Sequence, residues 1–593
     1  MDKNKWNLEQ IMPINDLHNY LKKTSDEIKM LKSEILSLSP EIDSKLFTKV
    51  INHFESVLDK IYILNARVSL NIEVDLKNQN LRYLESLNTN LVKEFEEVSR
   101  TLFLWIKGKE DINNKKLDLH NAKRLFDAIK DKSYFFKRER ELAKYSLSSN
   151  EEALIFNKDL YGINTVLELR TLIENKQEYS VEIDGKREIF KTIAELSKFF
   201  ESPKRQNRIN SYNSLYEQIE KNETEYSSIY QSVVKDFNYS AKLRGFKSPI
   251  SVMNISNDVS DEIVVNLFKA CDNHIPLFHK YFSIKSDYLK IKDFSRYDLY
   301  APVNHESKRE ISIEEAKEYI LELYKDLDTE FYDKAKTLID GQFIDYFPRE
   351  NKKSGGFCAG ITPTNKPFIL LNYTGSSRDF VTMAHEIGHG IHFVFSGTQS
   401  ILNYNAPLIL AETGSTLGEL MAFDFLIKNT KSKEEKIGLL FNKISDIYAS
   451  IIRQIYFEKF EIEAHEKIPS GISLDEINSI YLTNLKTQFG KSVSVPEIFK
   501  REWMYIPHIF HTPFYCYSYP FGQLLGISLY RLIKDNKKEN LPKIKKILSA
   551  GSSEKPERLL KSIGIDISDP YFWDEGFVYI KSLIEDLQKE LKS

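Results

Sequence analysis

Apolar residues recur three and four positions apart over most of this chain. Ile28-Lys-Met-Leu-Lys-Ser-Glu-Ile-Leu36 and Leu81-Arg-Tyr-Leu-Glu-Ser-Leu-Asn-Thr-Asn-Leu-Val92 show the pattern, with charged residues between the apolar ones. That period puts the apolar side chains on one stripe of an α-helix. It predicts long, charged helices over residues 1 to about 120. The heptads are not sustained, so packed antiparallel helices are expected and a coiled coil is not. Helical spacing continues to Leu172-Ile-Glu-Asn175, returns over 205–345, and returns again over 420–500. Two stretches break it. Ser180-Val-Glu-Ile-Asp-Gly-Lys-Arg-Glu-Ile-Phe190 alternates about Asp184-Gly185, the signal of a tight hairpin. Between 341 and 375, the runs Phe343–Arg349, Ser354–Gly360 and Pro367–Tyr373 are short, β-prone and separated by Gly and Pro, which predicts a small sheet.

The next stretch reads as a helix from local signals. Ser376-Ser-Arg-Asp379 has the form of a capping box. Phe380, Met383, Ala384, Ile387, Ile391 and Val394 follow at helical spacing, and Ser396-Gly397 supplies a stop. Gly388 and Gly390 oppose it, each costing about 1 kcal/mol relative to Ala. Glycines kept there imply that something packs close to the helix backbone.

This helix carries His385, Glu386 and His389 in the order His-Glu-x-x-His. Residues four apart lie on one helix face, so the two imidazoles can chelate one Zn²⁺ ion. Glu386 projects beside them, placed as the general base of a zinc hydrolase. A catalytic zinc needs a third protein ligand. A His-Glu-x-x-His-x-x-Gly-x-x-His pattern fails, because His392 and Phe395 fill its last two fixed slots. His392 itself lies roughly 10 Å along the axis from His385, which suits a supporting or packing role. A carboxylate on a following helix is the third route. Ala406–Met421 reads as one helix with Pro407 near its first turn, and Glu412 sits in its apolar half, where an unpaired charge is expensive. Glu419, two turns on, either orients one of the histidines or faces solvent.

Bulk properties narrow the remaining classes. A chain of 593 residues is too long for one core, so two or more lobes are expected. Lys+Arg 83 against Asp+Glu 86 leaves a net charge of -3, which gives no reason to expect a nucleic-acid or anionic-membrane partner. No run of 18 apolar residues occurs, and Met1–Gln10 has no apolar h-region, so a cytoplasmic protein is expected. Cys271, Cys358 and Cys516 have no paired spacing, in keeping with a reducing compartment. His18, His53 and His120 are isolated and read as structural or solvent-facing; His465, in Glu463-Ala-His-Glu-Lys467, reads as solvent-exposed.

Three blocks together, Pro367-Phe-Ile-Leu-Leu-Asn-Tyr-Thr-Gly375, Met383–His392 and Ala411-Glu-Thr-Gly-Ser-Thr416, resemble the thimet oligopeptidase superfamily of zinc peptidases, most closely its oligoendopeptidase F branch. The resemblance implies a mainly α, multi-lobed zincin enclosing a substrate channel, with a small β-sheet beside the zinc helix. It implies an N-terminal helical lobe over 1–200, including the hairpin near 180–190, and a catalytic domain over 201–593. One Zn²⁺ per chain would be held by His385, His389 and Glu412, with Glu386 as base and short unfolded peptides as substrates. Substrate would add as a strand to an edge, for which Ser354–Gly360 is the candidate, Gly355 and Gly356 admitting another backbone. The family also uses a His and tyrosines from the region matching Pro507–Gly522 to stabilise the oxyanion. Order and spacing match these to His508 and Tyr517, with Tyr515 and His511 as secondary candidates. Tyr515, Tyr517 and Tyr519 share a face if that segment is extended and spread around a helix otherwise.

Overall fold

The computed structural model describes residues 3–303 and 310–593. The protein is mainly α, with 71% helix and two small sheets. β1 (Tyr179–Ile183) and β2 (Lys186–Phe190) form the expected hairpin, turning through Asp184 and Gly185 at φ 53° and 77°. β3 (Ile344–Asp345), β4 (Phe357–Ala359) and β5 (Phe368–Leu370) form a second sheet in the order β3-β5-β4. β5 runs parallel to β3 and antiparallel to β4, which leaves β4 as an edge.

By packing, the chain divides into two compact units of interleaved segments. The first comprises Met1–Glu152, Ser307–Lys428 and Leu529–Gly564; the second comprises Ala153–Glu306, Asn429–Ser528 and Ile565–Ser593.

In the first unit, helices Leu17–Leu36, Ser44–Val74 and Gln79–Ile106 pack on one another. Their apolar stripes meet around Leu31, Phe47, Phe54, Leu64 and Trp105, all buried. Burial of these stripes, more than helix propensity, is what stabilises such helices. Asp345, on β3 itself, is buried and paired with Arg349 at 2.6 and 2.9 Å and with Lys352 at 2.6 Å. Trp6 packs on Phe357 and Phe368 and so ties the chain's start to the same sheet.

The motif helix spans Ser377–Ser396 and opens with the expected capping box. Ser376 Oγ accepts the Asp379 N–H at 3.1 Å, and Asp379 Oδ2 accepts the Ser376 N–H at 3.2 Å. Phe380, Met383, Ala384, Ile387 and Ile391 are buried, as the spacing requires. The single helix expected over Ala406–Met421 is instead two, Leu408–Ala411 and Thr413–Asn429, interrupted at Glu412. At the break, the Ala411 carbonyl lies 3.3 Å from His392 Nδ1 on the motif helix.

The motif helix and the Thr413–Asn429 helix touch backbone to backbone. A Cβ on Gly388 would lie 2.3 Å from the Gly414 carbonyl oxygen, and one on Gly418 would lie 2.4 Å from that of Ala384. A Cβ on Gly390 would meet Leu338 Cδ1 at 2.7 Å. The glycines that weaken the helix are therefore the ones that let its neighbours approach.

In the second unit, helices Asp261–Leu289 and Pro570–Lys592 pack together, and helix Ile452–Lys467 packs on Leu474–Phe489. His465 is not solvent-exposed, contrary to its charged sequence context. It is 2% exposed, with Nδ1 2.7 Å from Asn238 Oδ1 and its ring 4.5 Å from that of Phe514.

Gly388→Ala should destabilise the first unit despite alanine's better helix propensity, since backbone has to move to admit the methyl. A cost of about 1–3 kcal/mol is expected for such overpacking, read as a lowered melting temperature; an unchanged or raised value would show that the helix contact yields freely.

Candidate active site

Two consecutive helical segments converge in the first unit. The motif helix presents His385 and His389 on one face, their ring centroids 4.9 Å apart. The break at Glu412 turns that carboxylate towards them. Glu412 Oε2 lies 3.5 Å from His385 Nε2 and 3.3 Å from His389 Nε2. Among the described residues these three side chains form a group able to hold a metal ion, with one donor atom from each within 4.8 Å of the others. Ser415 Oγ donates to Glu412 Oε2 at 2.6 Å and fixes its rotamer.

The donor set fits zinc. Zn–ligand bonds of about 2.0–2.1 Å in a tetrahedron place neighbouring ligand atoms roughly 3.3–3.5 Å apart, and the two measured separations to Glu412 fall there. Two imidazoles and one carboxylate also leave a fourth position open. The outer contact is present as well: His385 Nδ1 lies 3.2 Å from Glu419 Oε2, which directs Nε2 towards Glu412. Of the two readings left open for Glu419, the structure takes the contact with His385.

Charge is crowded here. Burial works to lower the pKa of His385, but the hydrogen bond and charge of Glu419, with Glu412 behind, outweigh it and raise the value to about 9. Burial would raise Glu412, yet His389, His385 and Ser415 hold it down at about 2. Glu386 has no such hydrogen bonds among the described residues, and burial lifts its carboxyl above the usual range. Three carboxylates surround two imidazoles, an excess of negative charge suited to a divalent cation.

Glu386 and His389 also border a cavity of about 320 Å³ whose wall includes Cys358, His392, Phe393 and Ala406. Apart from Glu386 and the histidines its wall is uncharged, and His392 is held neutral by burial, with a pKa near 4. β4 forms one side. Gly356, just ahead of it, lies so close that a Cβ would sit 3.4 Å from Glu386 Oε1. Gly355 takes φ 83° in the preceding turn, and its carbonyl accepts from Asn372 Nδ2 at 2.7 Å.

The tyrosine-rich segment lies in the second unit. His508 begins a short helix, His508–His511, and Ser518–Asp535 forms the next. His508 Nε2 lies 3.1 Å from the Tyr519 hydroxyl, and its ring is parallel to that of Tyr515 at 6.0 Å. Tyr515 and Tyr519 meet edge to face at 5.3 Å. Tyr517 stands apart: it is buried, and its hydroxyl accepts from Asn257 Nδ2 at 2.9 Å. His511 is exposed. Tyr519, in the sequence only one of three alternating tyrosines, is the one whose hydroxyl meets His508. The usable signal was the four-residue step from Tyr515 to Tyr519, which brings them together as the chain turns into a helix.

The pattern of peptidase family M3 matches residues 199–579. An oligoendopeptidase F homolog of Borreliella burgdorferi is 26% identical over 557 residues, covering 93% of this chain and 92% of the relative. The crystal structure of a putative peptidase from Chlamydophila abortus superposes with a TM-score of 0.84 at 23% identity, covering 99% of this chain and 98% of that one. That of oligoendopeptidase-F from Enterococcus faecium gives 0.71 at 19% identity, covering 98% and 99%. A family match over well more than half of the chain means that the protein belongs to peptidase family M3 and is a metalloendopeptidase.

Proposed function

We propose that this chain is a zinc-dependent endopeptidase hydrolysing short, unfolded oligopeptides, with its catalytic domain over 201–593 and a helical lobe over 1–200. The observation that carries the reading is the spacing of His385 Nε2, His389 Nε2 and Glu412 Oε2, two of whose separations match edges of a zinc tetrahedron. One Zn²⁺ per chain would be held by these three. Bound there, the ion supplies a Lewis acid and acidifies water to a pKa of about 7.

The chain's own groups carry the proton work. Glu386, buried beside the histidines, takes a proton from the attacking water and returns it to the leaving amine. Glu419 keeps His385 in the tautomer that presents Nε2. We assign the oxyanion donors to His508 with Tyr519 and Tyr515, each donor typically supplying about 3–4 kcal/mol in the transition state. Tyr517, favoured by order and spacing, has its hydroxyl engaged with Asn257, so we assign it to holding the segment. His511 remains a secondary candidate for substrate contact.

Substrate would add as a strand to the β4 edge, with Gly355 and Gly356 giving its backbone room. One side chain would then enter the cavity beside Glu386. Its volume and largely uncharged wall suit a large, uncharged side chain and disfavour an acidic one. No helix among the described residues is long and apolar enough to cross a membrane. We place the protein in a reducing cytoplasm, where Cys271, Cys358 and Cys516 stay free thiols.

The direct test is cleavage of a blocked, internally quenched peptide by wild type and Glu386→Gln, with bound zinc measured in both. Wild type should cleave internally, and Glu386→Gln should lose roughly 10²–10⁴ in kcat while keeping its zinc; full activity in the zinc-loaded variant would remove Glu386 from the base role. Glu419→Ala should weaken zinc affinity by roughly 10–100-fold in chelator competition, and an unchanged affinity would make its contact with His385 incidental. Ala406→Phe should shift the cleavage profile of a peptide mixture away from large side chains at one position next to the scissile bond. An identical profile would mean the cavity is not read by the substrate.

A further inference from the structure

The second unit holds a pair of buried acids that the chemistry above does not use. Glu458 and Glu461 lie one turn apart on helix Ile452–Lys467, and both are fully buried. Each spends one oxygen on a backbone amide of the tyrosine segment. Glu461 Oε1 accepts the Phe514 N–H at 3.0 Å, and Glu458 Oε2 accepts the Tyr517 N–H at 3.1 Å. The other oxygens, Glu458 Oε1 and Glu461 Oε2, are buried with no hydrogen-bond partner. Donor atoms of the two carboxylates and Cys516 Sγ fall within 4.8 Å of one another. No arginine, lysine or histidine forms an ion pair with either acid among the described residues.

Two unpaired anions this close cannot both persist in an apolar interior; one proton kept between them removes most of the cost. Burial pushes both carboxyls up, Glu458 to about 8, and the Glu458 charge adds to the rise of Glu461. The backbone they hold is itself unusual. Phe514 takes φ 62°, and helix Ser518–Asp535 starts directly after Tyr517. Glu458 thus meets an otherwise unpaired amide at a helix N-terminus, where negative charge is favoured. The turn so fixed leads out through Tyr515 and Tyr519, which meet His508 on the half-buried face.

We propose that Glu458 and Glu461 share one proton and act as positioning residues: their remaining oxygens peg the 514–517 turn and so set the Tyr515–Tyr519–His508 arrangement. The consequence for catalysis rests on the reading of His508 and Tyr519 as oxyanion donors; the shared proton and the peg do not. Neither acid touches substrate, so their loss should act through the tyrosines, on kcat more than on KM.

Three measurements on the full-length chain test this. Infrared spectra of wild type minus the Glu458→Gln/Glu461→Gln double variant should show the carbonyl stretch of a protonated carboxyl present only in wild type. Amide exchange at Phe514–Tyr517 should quicken at least roughly ten-fold in Glu461→Ala relative to wild type. kcat on the quenched peptide should fall roughly 10–100-fold in Glu461→Ala with KM within about two-fold, and Glu461→Gln should recover most of it. No protonated-carboxyl band would overturn the shared proton. Unchanged exchange at 514–517, or a KM loss with kcat intact, would overturn the positioning role. Should Glu461→Ala not fold, Glu458→Ala, which removes the acceptor of the Tyr517 N–H, decides the positioning role by the same exchange and kcat readouts. A wild type without peptidase activity would instead count against the proposed function, leaving band and exchange to decide the acid pair.

Discussion

The contact on which the first unit's chemistry depends contains no side chain. Gly388 faces the Gly414 carbonyl, and Gly418 faces that of Ala384. Any β-carbon there would force the two helices apart. Helices in backbone contact can carry short side chains into one space from both sides, so Glu412 and Glu419 reach the imidazoles of His385 and His389 directly. Glycine's conformational cost is the local weakness that makes this crossing possible.

Electrostatics completes what packing begins. Each carboxylate near the two imidazoles has its own environment. Glu412 is pinned by Ser415 and the histidines, Glu419 by His385, and Glu386 by little except burial. Similar groups therefore differ in proton affinity, Glu386 raised by burial and Glu412 lowered by the histidines and Ser415. The second unit shows the same logic without imidazoles, where Glu458 and Glu461 answer only to backbone amides and to each other.

Much of this was legible because its causes are local. The capping box at Ser376, the apolar stripe of the motif helix and the Asp184-Gly185 hairpin are written within a few residues, and the structure repeats them. The failures have distant causes. At the break beside Glu412, the Ala411 carbonyl meets His392 across 19 residues of chain, a contact no local pattern announces. His465 sits in a charged run yet is covered by Asn238 and Phe514. Among the three alternating tyrosines, order and spacing favour Tyr517 over Tyr515 and say nothing of which ring meets His508. Only the start of the helix at Ser518 decides that Tyr515 and Tyr519 meet His508 while Tyr517 turns inward.

β4 is only three residues long, and it ends an open sheet. A long, flat edge would be a template for any extended chain, including strands of misfolded proteins and of other copies. Three residues provide too few backbone pairs to hold such a partner by hydrogen bonds alone. The edge can therefore stay uncovered in a crowded solution without seeding aggregation, and a strand that rests there must gain the rest of its hold from elsewhere.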